Sequence, residues 1–216
     1  MSVRLAIAAS MLSLAAATPA AADVLSVRAE LHAGGAGGAG LAGGAKDHAF
    51  AEGARGASYG ALVGAELLFV NAWVDHHQFN DGGLIGTWTR FMAGFDVNVD
   101  LGKPLRPAGT KAGAKAGRAK GYLELGLATG FGLGTGQQVE LPLDNAQLTD
   151  KGFLVEGRVG AGYNLNRVMA IGFTLPIEYG YLFKSGTGVV ANDDNNQYQQ
   201  LTASFMVNLR FRLKAK

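Results

Sequence analysis

The end of the chain constrains its fold more than any other part. Leu201, Ala203, Phe205, Val207, Leu209, Phe211 and Leu213 alternate with Gln200, Thr202, Ser204, Met206, Asn208, Arg210 and Arg212. A period of two held over fourteen residues marks a strand with one apolar and one polar face, longer than soluble strands ordinarily run. The same alternation governs Phe153 to Leu165, Met169 to Tyr181, Thr89 to Leu101, the residues after Gly121, and Leu25 to His32. Repeated amphipathic strands without helical periodicity define an all-β chain.

Seven strands are legible, over about residues 24–33, 58–70, 87–101, 121–133, 152–165, 168–183 and 198–213. A single-chain bacterial barrel closes with an even number. An eighth strand is therefore expected at Trp73 to Gln78, hairpinned to the strand ending near Phe69 with its connection around Asn71. The expected fold is a closed antiparallel up-and-down barrel of about eight strands.

Alternation alone leaves the polarity open, because a lipocalin-like barrel keeps its apolar face inside. Lysine separates the two cases. Lys46, Lys103, Lys111, Lys115, Lys120, Lys151, Lys184, Lys214 and Lys216 all read as lying between strands or at the C-terminus, whereas a water-exposed strand face uses lysine freely. The polar faces hold small residues and charges of both signs, which suits a narrow lumen where buried charges must pair. Arg28, Glu30, Glu66, Arg90, Asp96, Glu124, Glu156, Arg158, Glu178, Arg210 and Arg212 are the expected lumen charge network. The apolar faces then meet lipid, where an unpaired backbone amide costs several kcal/mol and only a closed sheet can cross. Tyr163, Tyr179, Tyr181, Tyr198, Trp73 and Trp88 lie toward the ends of the apolar runs, where amphipathic rings favour the membrane interface. Pro176, in mid-strand without an amide to donate, predicts a bulge or bend.

The first 22 residues read as a secretory signal: Arg4, an apolar stretch from Leu5 to Ala17, then Ala20-Ala21-Ala22 before Asp23. The apolar part is too short to span a bilayer, so cleavage after Ala22 is expected, leaving residues 23–216 as one barrel domain. The absence of cysteine excludes a lipid at the cleavage site and any disulfide framework. Without Arg4, eighteen basic residues stand against seventeen acidic ones, and no nucleic-acid partner is implied. If the C-terminal strand ends in the periplasm, the tight connection Asn164-Leu165-Asn166-Arg167 is periplasmic. Gly34 to Gly56, His76 to Gly86, Gly134 to Lys151 and Lys184 to Gln197 become outer loops. Gly102 to Lys120, with six basic residues and no acid, reads as a solvated linker whose charge also suits anionic headgroups.

Signal, short amphipathic strands, long outer loops and a polar filled interior together resemble the small outer-membrane barrels of the OmpA and OmpX type. The resemblance covers essentially the whole mature chain and rests on pattern. It implies residence in the bacterial outer membrane, contact with outer-membrane lipid, delivery by periplasmic chaperones and the barrel-assembly machinery, and a monomer. Such barrels end in an aromatic residue that the machinery reads; here the nearest equivalent is Phe211, followed by Arg212-Leu213-Lys214-Ala215-Lys216. No additional peptidoglycan-gripping domain is expected.

Chemistry is weakly signalled. Asp75-His76-His77 could orient a general base or bind a metal, but neighbours on a strand point to opposite faces, so His76 and His77 do not share one ligand. Asn192-Asp193-Asp194-Asn195-Asn196 lacks the spacing of a calcium loop, Gly130-Phe131-Gly132 sits within a strand, and no serine nucleophile motif appears. No catalytic residue, cofactor or metal is assigned. The leading expectation is a structural or surface-interaction barrel with a side-chain-filled polar lumen. A narrow or gated, porin-like pore is the second reading, and a membrane-embedded hydrolase using Asp75 and His77 the third. A closed barrel resists unfolding until boiled, so unboiled and boiled samples are expected to migrate differently on a denaturing gel; identical migration would count against closure.

Overall fold

The computed structural model describes residues 25–43, 56–80, 84–104, 119–138, 147–187 and 197–214. Eight strands follow one another up and down: β1 (Leu25–Gly43), β2 (Gly56–Leu67), β3 (Val70–Asn80), β4 (Leu84–Pro104), β5 (Ala119–Gln138), β6 (Gln147–Asn164), β7 (Met169–Thr187) and β8 (Gln197–Lys214). Each pairs antiparallel with the next, and β8 pairs back onto β1 from Ser26↔Lys214 to Gly43↔Tyr198, closing the ring. Every strand therefore has two bonded neighbours, and no edge is left open.

Side chains obey the alternation with inverted polarity. Leu127, Phe153 and Phe95 face outward, 60%, 66% and 55% exposed, while Arg28, Arg90, Arg158, Arg210 and Arg212 are buried inside. In register across four adjacent strands, Phe91, Phe131, Phe153 and Tyr181 form one cross-strand row of aromatic residues. Four residues further up lie Thr87, Thr135 and Thr149, with Thr87 Oγ1 and Thr135 Oγ1 2.8 Å apart. Along β4 the apolar outer face runs from Leu101 to Phe91. Ten steps of ~3.4 Å, tilted by ~40°, give a band about 26 Å tall, which matches the apolar belt of a transmembrane barrel.

The strands extend beyond this belt, and several sequence-based boundaries are corrected by it. Residues 34–43 belong to β1 rather than to an outer loop, and the strand passages of β3 and β4 leave only 81–83 between them. Lys103, Lys120, Lys151, Lys184 and Lys214 lie within strand ends, not between strands. The reason is common to all: beyond the belt, at either end, no lipid enforces apolar side chains, so the alternation fades while the hydrogen-bond ladder continues. In β1, glycine also reflects close packing, since a Cβ on Gly34 would lie 1.8 Å from the Phe205 carbonyl oxygen.

The eighth strand is β3, longer than Trp73 to Gln78, and its connection to β2 is Leu68-Phe69, not a turn around Asn71. Leu68 takes φ = 59°, a left-handed conformation usually left to Gly or Asn. Leu67, Leu68, Phe69 and Val70 are all exposed and apolar, so hydrophobic demand outweighs turn preference here. At 165–168 the opposite solution appears: Asn166 Oδ1 accepts from the Val168 and Met169 amides at 2.8 Å each, a side-chain-built turn. Pro176 produces no register shift. It pairs with Arg158 of β6, and its missing amide merely interrupts the ladder to β8 between Thr174↔Met206 and Ile177↔Ala203. The signal segment 1–22, the basic residues between 105 and 118, and Asn192–Asn196 lie outside the described residues.

A lipid-facing charge near the middle of the belt tests this placement. Leu127→Arg should cost about 2–4 kcal/mol of folding stability in lipid vesicles, and Thr135→Lys about 0–1 kcal/mol, measured by denaturant titration; equal costs would remove the belt.

Candidate functional site

The lumen is built by alternate residues of all eight strands, and its chemistry follows from their parity. On β3, Asn71, Trp73, Asp75, His77 and Phe79 point inward while His76 points out, its Nδ1 2.8 Å from Thr89 Oγ1. Parity also corrects three aromatic placements: Trp73, Trp88 and Tyr198 are 6%, 5% and 0% exposed and fill the lumen, whereas Tyr163 and Tyr179 remain on the outer surface. Each of the three shares its strand face with charged or amide residues (Trp73 with Asp75, Trp88 with Arg90, Tyr198 with Gln200), a signal that was available in the sequence.

Most of the lumen charges meet in one chain of ion pairs. Arg28 reaches Glu30 at 3.2 Å, Asp96 at 3.2 Å and Glu124 at 3.3 Å. Arg210 joins Glu30 at 3.0 Å to Glu124 at 2.6 Å. Arg158 links Glu124 at 3.8 Å to Glu156 at 2.7 Å. Arg90 closes the series, donating from Nε to Asp75 at 3.0 Å and from Nη1 to Glu156 at 2.5 Å and Glu178 at 3.1 Å. Near the lower rim Arg212 pairs with Glu66 at 3.1 Å, and Ser26 donates to the same carboxylate at 3.3 Å. These pairs join residues up to 180 positions apart and draw on every strand.

Rings and gaps complete the filling. The Arg158 guanidinium lies 4.8 Å from the centroid of Trp73, and that of Arg210 5.3 Å from Tyr122, so two cations of the network are also held against aromatic faces. Glycine makes the room: a Cβ on Gly132 would meet the Trp88 ring at 2.6 Å and Leu154 at 2.8 Å. Leu62, Trp73, Phe79, Trp88, Met92, Ala128, Leu154, Leu182 and Tyr198 form an apolar cluster inside the barrel, so the filling is mixed and not wholly polar. Its apolar members answer the large-opposite-small rule of packed interiors.

Asp75 and His77 lie side by side, His77 Nδ1 being 3.5 Å from Asp75 Oδ2. The structure adds His32 of β1, with Nε2 3.4 Å from Asp75 Oδ1. His32 shares its strand face with Arg28 and Glu30, but its meeting with β3 depends on the path of β2 between them and has no signature in the sequence.

Apolar belt outside and paired charges inside define a class: a small transmembrane β-barrel of the outer-membrane kind. No protein-family model matches the chain, and no curated protein matches it in sequence. Among solved structures it is similar to Neisserial surface protein A (NspA), with 12% identity and a TM-score of 0.48 over 86% of this chain and 96% of that one. It is also similar to the translocator domain of the autotransporter NalP from Neisseria meningitidis, with 10% identity and a TM-score of 0.36 over 96% of each chain. The ring itself stands on this chain's own strand pairing.

Removing one partner from a buried ion pair leaves an uncompensated charge. Arg90→Ala should therefore cost about 3–5 kcal/mol in urea unfolding from lipid vesicles, with little dependence on salt; a loss below about 1 kcal/mol, the range of exposed pairs, would mean that the cluster is solvated.

Proposed function

We propose that the chain is a monomeric resident of the bacterial outer membrane, exported by a signal cleaved after Ala22, with a structural or surface-interaction role and a lumen closed by its own side chains. The observation that carries this reading is the unbroken series of ion pairs from Arg28 to Glu178, packed against the rings of Trp73 and Tyr122. A hydrated pore would need its charges apart, each facing water. Here they pair with one another across the lumen, and the cavity bordered by His77, Arg90, Glu178 and Met206 holds about 40 Å³, room for a few waters only. Closure of the ring also supports a monomer, because it leaves no strand edge to recruit a second copy.

A non-enzymatic barrel is favoured over the hydrolase reading by one contact. Arg90 holds Asp75 Oδ2 through its Nε, so the carboxylate that would orient His77 is already committed to a buried guanidinium. The polar upper strands, carrying Thr87, Thr135 and Thr149 above the aromatic row, are the surface that the barrel offers to the exterior.

Conductance tests the closed lumen. In planar bilayers the protein is expected to give no steady open level, and Arg90→Ala together with Glu156→Ala to introduce one. A large steady conductance from the unaltered protein would replace this reading with that of a pore.

A further inference from the structure

We propose that the lumen holds one divalent transition-metal cation of the zinc class, bound by His32, Asp75 and His77. These residues come from β1 and β3, and the strand between them makes their meeting possible. Gly60 of β2 is in register with His32 on one side and His77 on the other. A Cβ there would lie 2.5 Å from the His77 Cβ, so glycine opens the lane in which the two imidazoles approach, ring centroids 6.1 Å apart and inclined by 70°.

The donor atoms suit such an ion. His32 Nε2 stands 3.4 Å from Asp75 Oδ1 and His77 Nδ1 3.5 Å from Asp75 Oδ2, and one ligand atom from each residue lies within 4.8 Å of the others. Tetrahedral zinc with bonds of about 2.0–2.1 Å sets its ligands roughly 3.3–3.4 Å apart. The His32 Nε2–Asp75 Oδ1 separation is near that edge length already, and His77 Nδ1, now facing the other oxygen, would join them by a small rotation of its ring.

Three further observations favour a cation at this position. Asp75 is fully buried, yet its Oδ1 and the His77 Nδ1 make no well-formed hydrogen bond, their nearest polar neighbours being each other's cluster members at 3.4 and 3.5 Å. Such loose contacts leave part of the desolvation cost of buried polar atoms uncompensated, and a bound ion would offset it. Arg90 grips Oδ2, which orients the carboxylate and leaves Oδ1 for the metal. Charge is also in deficit: Asp75, Glu156 and Glu178 converge on the single guanidinium of Arg90, with Arg158 already shared between Glu156 and Glu124. The cavity beside His77 supplies water for a fourth position. Nitrogen and carboxylate donors in this proportion favour zinc-like ions over calcium or magnesium.

The test uses the full mature chain without a histidine tag, refolded in detergent, stripped with chelator and titrated with Zn²⁺ by calorimetry. One ion per chain is expected, with affinity at least about tenfold weaker in His32→Gln and in His77→Gln, and unchanged in His76→Gln on the outer face. Co²⁺ added to the unaltered protein should give the intense visible bands of a four-coordinate site, a readout that needs no variant. Absence of saturable Zn²⁺ binding, equal affinity in all three variants, or Co²⁺ spectra of an octahedral aqua ion would each overturn the proposal.

Discussion

Every feature of this molecule depends on one requirement: in lipid, a backbone amide or carbonyl has no water to bond, so each must find a partner in the sheet. Eight strands meet it by pairing β8 back onto β1. Once the ring is closed, the faces have no choice. Outer side chains must dissolve in hydrocarbon, and whatever is polar must be accommodated within. The exposed Phe153 and the buried Arg210 are two consequences of the same constraint.

The interior resolves that constraint at some energetic risk. Buried ion pairs seldom stabilise much, because desolvation offsets their attraction. Their value here is in specificity. Arg28 finds Glu124 on β5, Arg210 finds Glu30 on β1, and Arg90 finds Glu178 on β7; a strand slipped by one residue would turn each partner into lipid. The network thus penalises wrong registers more than it rewards the right one. Aromatic contacts act in the same direction, since the Tyr122 ring beneath Arg210 fits only where Gly162 and Gly172 leave it room.

The barrel's length divides into two chemical regimes along the same strands. Within the belt, lipid selects leucine, valine and phenylalanine on the outer face. Beyond it, strand geometry persists with Thr87, Thr135, Lys151 and Lys184. Lysine is therefore diagnostic of depth more than of secondary structure: it is missing from the belt, yet present in strands that have left it. The Leu68-Phe69 turn carries the converse lesson, because a connection whose residues are all apolar and exposed has been shaped by hydrocarbon and not by turn chemistry.

Seven of the eight strands and the two-faced character of each are written in the period-two pattern, because lipid and lumen impose opposite demands on successive residues; the eighth strand follows from the even number that closes a barrel, and the outward turn of the apolar face from the placement of lysine. Strand ends were not legible, since above the belt the ladder continues without those demands, as in residues 34–43. Nor was the inward turn of Trp73, Trp88 and Tyr198 read, although parity with Asp75, Arg90 and Gln200 carried it. What only tertiary structure decided is who meets whom. The convergence of His32 with Asp75 and His77, and of Arg90 with Glu156 and Glu178, depends on the register and closure of the whole ring. Those contacts span strands far apart in the chain, and no local pattern records a distance across a lumen.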